Sequence, residues 1–316
     1  MSRRVLFFSG LFCALVIPGL IFFVRPPVLV VNDIPFVSLY GASRIKQRQI
    51  RASISLFRRV KPVIVAENAG TDIVVFAVEA ADSRPHCVIF PARYADGGQR
   101  YAGQFPEIPV IILDSRPAET PAGQEAPGED QGKLIRLRTR RLEDFYRAGL
   151  CAAIIARSGM KRSAGNSPEE GAADTGGEIL VFQEKSFTPT DKIAFSTGLE
   201  RQGNTTQPHF LNSPAEYAGI QDASCAVING SALDFLDRNL KIPIILFSWY
   251  NPAMTSREIL LVFDDSPWAL AAEAVKRADR DEGIGDIPSD IVFPGGRIAD
   301  KGLLRDLKRA ARGPIP

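Results

Sequence analysis

Two rhythms of apolar and polar residues run along this chain. Short runs of β-branched residues alternate with longer stretches that carry an apolar stripe at helical spacing. The runs at 28–31, 63–66, 87–90 and 110–113 read as buried strands, since continuous apolar runs fit a sheet covered on both faces. Between them, residues 43–59 read as a helix with Ile50, Ile54 and Phe57 on one face, and residues 70–81 as a second helix. The segment 32–36, with its Pro35, reads as a loop. A strand at 134–137 and a helix at 142–156 follow, the helix with Leu142, Phe145, Gly149, Leu150 and Ala153 on one stripe.

The second half repeats this logic. Strands are expected at 179–182, 209–211, 225–228, 244–247, 259–263 and 290–293. Helix starts are written between them. Thr188 precedes Pro189 with Asp191 at the third helical position, Ser213 and Glu216 form a capping box, Ser231 opens another helix, and Ser266 precedes Pro267. The tail offers an amphipathic helix with Leu304, Leu307 and Ala311 inward. The segments joining the strands are long enough for crossovers, so parallel βαβ units are the economical reading. Residues 115–132 and 158–177 break the pattern with Pro, Gly and Glu and almost nothing apolar, and read as exposed insertions. They bracket one strand and one helix, where the chain crosses between two lobes.

The N-terminus carries a different signal. After Arg3 and Arg4 come twenty residues, Val5 to Val24, without a charge, followed by Arg25. At about 1.5 Å per residue such a run spans a bilayer core of about 30 Å. An uncleaved anchor with the bulk of the chain outside is the first reading. A cleaved signal peptide and a lipoprotein at Cys13 are its rivals. No small-residue cleavage site follows the run, and Phe12 stands where a lipoprotein signal wants a small residue.

Composition narrows the chemistry. The chain has 316 residues, enough for about two domains. A net charge of +2 with scattered Lys and Arg indicates no nucleic-acid partner. The 4 Cys are spread over separate elements and read as small buried thiols. With 2 His and no metal-spaced cluster, neither a metal site nor a Ser-His-Asp site is expected. No glycine-rich nucleotide fingerprint follows a strand, so no cofactor is expected.

Three stretches then resemble the type I periplasmic substrate-binding proteins, a superfamily that includes sugar-binding and nucleoside-binding transporter components and the effector domains of lac-repressor-like regulators. Residues 145–153 (FYRAGLCAA) look like the first helix of the family's second lobe. Residues 241–245 (KIPII) look like a strand entered through a proline, and residues 262–266 (VFDDS) like the hinge strand that ends in an acid. The resemblance implies an α/β fold of two Rossmann-like lobes with parallel sheets joined by a hinge, preceded by one transmembrane helix. The implied domains are 1–27 as membrane anchor, 28–138 plus 265–316 as the first lobe, and 139–264 as the second. In a bacterium this means a single-pass protein of the inner membrane with its bulk in the periplasm.

The resemblance also implies a ligand held between the lobes, facing the C-terminal strand ends. The residues standing there are Phe36, Tyr40, Asn68 and Tyr94 in the first lobe, and Phe187, Asn229, Trp249 and Tyr250 in the second, with Asp264 at the hinge. Glu67 and Arg93 stand beside them. Aromatics interleaved with hydrogen-bonding groups suit a flat polar molecule, a nucleoside or a sugar. Bland roles compete: Trp249 and Tyr250 as hinge packing, Phe36 and Tyr40 as packing on the juxtamembrane segment, Asp265 and Ser266 as helix caps. The function expected is solute binding for transport or sensing, without enzyme activity, with an ABC-type permease as partner. A ligand-free scaffold or accessory subunit is the alternative, and an outer-leaflet enzyme using Asp264-Asp265 or Glu67 a third.

Overall fold

In a computed structural model, the described residues are 20–114, 133–158, 177–182, 187–212, 223–229, 242–247, 258–280, 284–294 and 298–314. They form two compact units. The first comprises the described parts of Met1–Asp114, Gly123–Arg138 and Pro267–Gly285. The second comprises the described parts of Thr139–Ser266 and Asp286–Pro316. The tail, expected with the first lobe, packs in the second unit. There β12 (Asp290–Val292) pairs antiparallel with β10 (Ile259–Asp264). Leu303, Leu307 and Ala311 of α8 (Lys301–Arg312) enter the same core as Phe145 and Ala148.

The first sheet runs in the order β2-β1-β3-β4-β5-β11. Its strands are β1 (Val28–Asp33), β2 (Val60–Val65), β3 (Cys87–Pro91), β4 (Val110–Asp114), β5 (Leu134–Thr139) and β11 (Ile284–Ile287). The second repeats that order as β7-β6-β8-β9-β10-β12, with β6 (Ile179–Phe182), β7 (His209–Leu211), β8 (Cys225–Ile228) and β9 (Ile244–Phe247). The pairs β1–β2, β1–β3, β3–β4, β4–β5, β6–β7, β6–β8, β8–β9 and β9–β10 are parallel. Every residue of β1, β6, β8, β9 and β10 is buried, as both-face coverage by helices requires. Cys87, Cys151 and Cys225 are buried free thiols.

The helices depart from expectation in informative places. The presumed loop after Asn32 is a helix, α1 (Ile34–Tyr40). Asp33 caps it by accepting from the Phe36 N–H at 2.8 Å, and a proline sits in its first turn. Residues 95–104, where no element was expected, form α4 (Ala95–Gln104). Gly97 and Gly98 lie so close to Val74, Phe90 and Ile112 that packing outweighs their poor propensity. The helix expected at 43–59 is α2 (Ala42–Leu56), but its Ile50, Ile54 and Phe57 point outward, and Ile45 and Ala52 are the buried residues. The remaining helices are α3 (Thr71–Ala81), α5 (Arg141–Ser158), α6 (Pro189–Arg201) and α7 (Pro267–Ala278). Among the described residues no helix is long and apolar enough to cross a membrane. The helices expected after Ser213 and Ser231, and most of the run 5–24, lie outside the described residues.

In the second unit α5 and α6 cross at two glycines. A Cβ on Gly149 would fall on the Phe195 carbonyl oxygen, and one on Gly198 on that of Tyr146. Backbone has replaced side chain at this contact, which seats Phe145 and Phe195 in one core. Gly149→Ala should therefore cost about 3 kcal/mol through overpacking. Chemical unfolding would measure it, and an unchanged midpoint would mean the helices do not meet there.

Candidate functional site

In a doubly wound sheet the strand direction brings loop-borne side chains to one edge, and the crevice opens where the chain order reverses. In both sheets that point lies between the first strand and the third, at β1/β3 and at β6/β8.

In the first unit this point is occupied by Asp33, 1% exposed, at the end of β1. Its carboxylate accepts from the Phe36 N–H at 2.8 Å, from Arg93 Nη1 and from the Tyr94 hydroxyl at 3.2 Å. Burial, and then the Asp33 charge, push Tyr94 up to about 12, so the phenol stays protonated as a donor. Arg93 remains 54% exposed, leaving the rest of its fork to solvent. Phe36 stacks on Tyr40 at 5.1 Å, and Arg44 lies 4.7 Å over the Tyr40 ring. Tyr40 is fully buried, so its ring is core and not a ligand platform. Asn68 is exposed in a left-handed turn with φ 55° after β2, a conformation Asn tolerates.

The second unit gathers a different set. Asn229 follows β8, Phe247 ends β9, Asp265 follows β10, and Asp144 and Phe145 stand in the first turn of α5. Phe145 stacks on Phe247 at 4.5 Å, Phe247 stacks on Phe263 at 4.8 Å, and Phe187 meets Phe145 edge-on at 4.8 Å. Arg141 lies 5.2 Å over the Phe145 ring. The buried Asp191, which also closes the capping box of α6, takes two hydrogen bonds of 3.2 and 3.1 Å from Arg141 at one oxygen. A cavity of about 30 Å³ opens among these groups, lined also by Thr139 and Ser289.

Two of the residues that line this cavity hold buried polar atoms without a partner. Asp144, 3% exposed, accepts from the Ser289 hydroxyl at 2.6 Å through Oδ2, but its Oδ1 has no partner. The Asn229 side chain, 8% exposed, has an Nδ2 without an acceptor. An unmet buried donor or acceptor costs about 1–3 kcal/mol, which an added hydroxyl, amide or water would relieve. Burial pushes Asp144 from 3.8 up to about 7. The Ser289 hydrogen bond opposes this and the Asp265 charge adds to it. Among the described residues no group of His, Cys, Asp and Glu could hold a metal ion. A larger open groove of about 910 Å³ runs along α5 and α8, but no strand end contributes to it.

The predicted residues thus separate. Asn229 lines the cavity, and Phe187 abuts it through Phe145. Tyr94 belongs to the Asp33 cluster. Trp249 and Tyr250 lie outside the described residues. The two hinge acids stand opposite to expectation: Asp265 faces the cavity, while Asp264, fully buried, accepts from the Ser266 N–H at 3.2 Å and shapes the entry to α7. Sequence reasoning missed Asp33 and Asp144. A signal existed for the first, an Asp two residues before Pro35. Asp144 resembles any acid in a first helical turn.

This is the fold of the type I periplasmic substrate-binding proteins, and solved structures with it share little sequence with this chain. A solute-binding protein of an ABC transporter system from Aeropyrum pernix K1 superposes with a TM-score of 0.52 at 12% identity, over 90% of this chain and 86% of that one. An ABC transporter solute-binding protein from Agrobacterium vitis, bound with alpha-D-tagatopyranose, gives 0.51 at 11% identity, over 89% and 98%. A transcriptional activator of the comK gene from Bacillus halodurans gives 0.54 at 10%, over 92% and 100%. No protein-family profile matches the sequence, and no curated protein matches it. At such identities the likeness is one of fold.

The raised Asp144 has a definite pH signature. Between about pH 4 and 7 the unfolded chain releases this proton while the folded chain keeps it, so stability falls as pH rises through that window. Asp144→Asn should remove the fall. Its melting temperature should exceed wild type by several degrees at pH 8 and match it below pH 4. Parallel melting curves across that range would rule out a buried Asp144.

Proposed function

We propose that this chain is an extracytoplasmic solute-binding protein that holds a small polar ligand, a sugar or a nucleoside, for transport or sensing. The observation that carries the reading is the pair of unmet buried polar atoms, Asp144 Oδ1 and Asn229 Nδ2, beside stacked phenylalanines at a switch point. An acceptor or acid proton, an amide donor and apolar ring surface match a polyhydroxylated ring, which offers hydroxyls at its rim and C–H groups on its faces. The sugar bound in the Agrobacterium vitis protein of the same fold supports that ligand class. Residues 5–24 would hold the protein in the inner membrane with both units on the periplasmic side, and an ABC-type permease would receive the ligand. No enzyme activity belongs to this reading.

A ligand-free scaffold is the second reading, favoured by two observations. The Asp33 carboxylate is met by three donors within its own unit, and the cavity in the second unit has room for little more than water.

Thermal unfolding of the detergent-solubilised chain separates the two. A true ligand at about a hundredfold over its Kd adds about 3 kcal/mol, a rise of several degrees. Asn229→Ala should abolish that rise while leaving the ligand-free melting temperature near wild type, because the amide donor has no hydrogen bond to lose. Sugars, nucleosides and amino acids that all leave the transition unmoved would establish the scaffold.

A further inference from the structure

Helix α2 carries a face that the first unit does not use. Ile50, Ile54 and Phe57 recur at helical spacing and are 49%, 73% and 41% exposed, while Ile45 and Ala52 serve the core. Contiguous exposed apolar surface marks an interaction site. The charge around it is one-sided. From Ala42 to Val65 the chain has seven Arg and Lys and no Asp or Glu, and Lys46 and Arg51 are exposed beside the isoleucines.

The end of the helix adds a second sign. Phe57 caps α2 in the left-handed region at φ 49°, where glycine is the usual residue and a bulky side chain costs about 1–2 kcal/mol. The ring held there meets Phe22 at 5.9 Å, and Arg25 lies 5.3 Å over it. Phe22 belongs to the end of the uncharged run, where Leu20, Ile21, Phe23 and Val24 are exposed as well. The stripe on α2 and the last turn of that run therefore form one apolar surface edged by arginines and lysines.

We infer that this surface seats the first unit on an anionic bilayer, with Ile50, Ile54 and Phe57 at the boundary of headgroups and acyl chains and Lys46 and Arg51 among the phosphates. Interfacial helices hold membranes in this way, by apolar area plus attraction to anionic lipid. A second copy of the chain is a poor occupant, since it would bring the same cations against themselves. The inference does not require residues 5–24 to cross the bilayer, and it does not require a ligand.

The test places a tryptophan on the face in the full chain, one copy per lipid nanodisc, with Ile54→Trp compared to Ile193→Trp on α6, which is 65% exposed in the second unit. The wild-type emission is subtracted from both. In discs of phosphatidylcholine with brominated phosphatidylglycerol, Ile54→Trp should shift to the blue and lose roughly half its emission, while Ile193→Trp keeps its own. Reversing charge with Lys46→Glu and Arg51→Glu, or raising the salt, should restore most of the lost emission. All these positions are exposed, and circular dichroism confirms that the variants fold. An Ile54→Trp as bright as Ile193→Trp in anionic discs overturns the inference. A blue shift without bromolipid quenching overturns it too and assigns the face to a protein partner or a second copy. Extraction of the chain from neutral vesicles by alkaline carbonate would sink the membrane anchor alone, because quenching in anionic discs reads α2 separately.

Discussion

A strand in the middle of a parallel sheet, covered by helices on both faces, has no side on which to place a polar group. That constraint shapes both units. From β1 to β10 the central strands are largely Val, Ile, Leu and Phe, and polar residues gather at their carboxyl ends: Asn32 and Asp33 on β1, Asn229 after β8, Asp264 and Asp265 at the end of β10. The chemistry is pushed to the carboxyl edge because it has nowhere else to go. Repeating one strand order in both sheets then repeats the place where it collects.

The two edges resolve the cost of a buried carboxyl in opposite ways. Around Asp33 the chain supplies a helix N–H, a guanidinium and a phenol, which together replace the water the carboxylate gave up. Around Asp144 it supplies one hydroxyl, and burial then favours the proton over the charge. Ser289 donates to Oδ2, and Oδ1 is left without a partner. One edge is locked and the other is unfinished.

Much of this fold is legible in the residues. Strand positions follow from uninterrupted apolar runs, and helix starts follow from Thr188-Pro189 and Ser266-Pro267, because both signals are local. Where a tertiary contact decides, the reading fails. Gly97 and Gly98 argue against a helix until Phe90 and Ile112 are seen against them. Ile50, Ile54 and Phe57 have the spacing of a core stripe and are outside it. Asn229 is reachable from the sequence because the end of a strand is a local feature. Asp144 is not, since its importance comes from Ser289, far along the chain, and from donors that are missing. Asp264 and Asp265 share a strand end, and only the backbone decides which carboxylate turns inward.

Helix α2 shows how a stripe of the right spacing can be left outside. It packs on α7 and β2, and two hydrogen bonds to the neighbouring edge strand add to the burial of Ile45 and Ala52. The Gln49 amide donates to the Val60 carbonyl at 2.7 Å, and the Val60 N–H donates to the Ser53 hydroxyl at 3.0 Å. With those bonds, Ile45 and the small Ala52 fixing the helix against its unit, Ile50 and Ile54 face away. A helix meant only to cover a sheet would be expected to turn its isoleucines inward and its arginines outward. This one keeps Ile45 inward but turns Ile50 and Ile54 outward together with Arg51, so one apolar stripe is left without cover in its own unit.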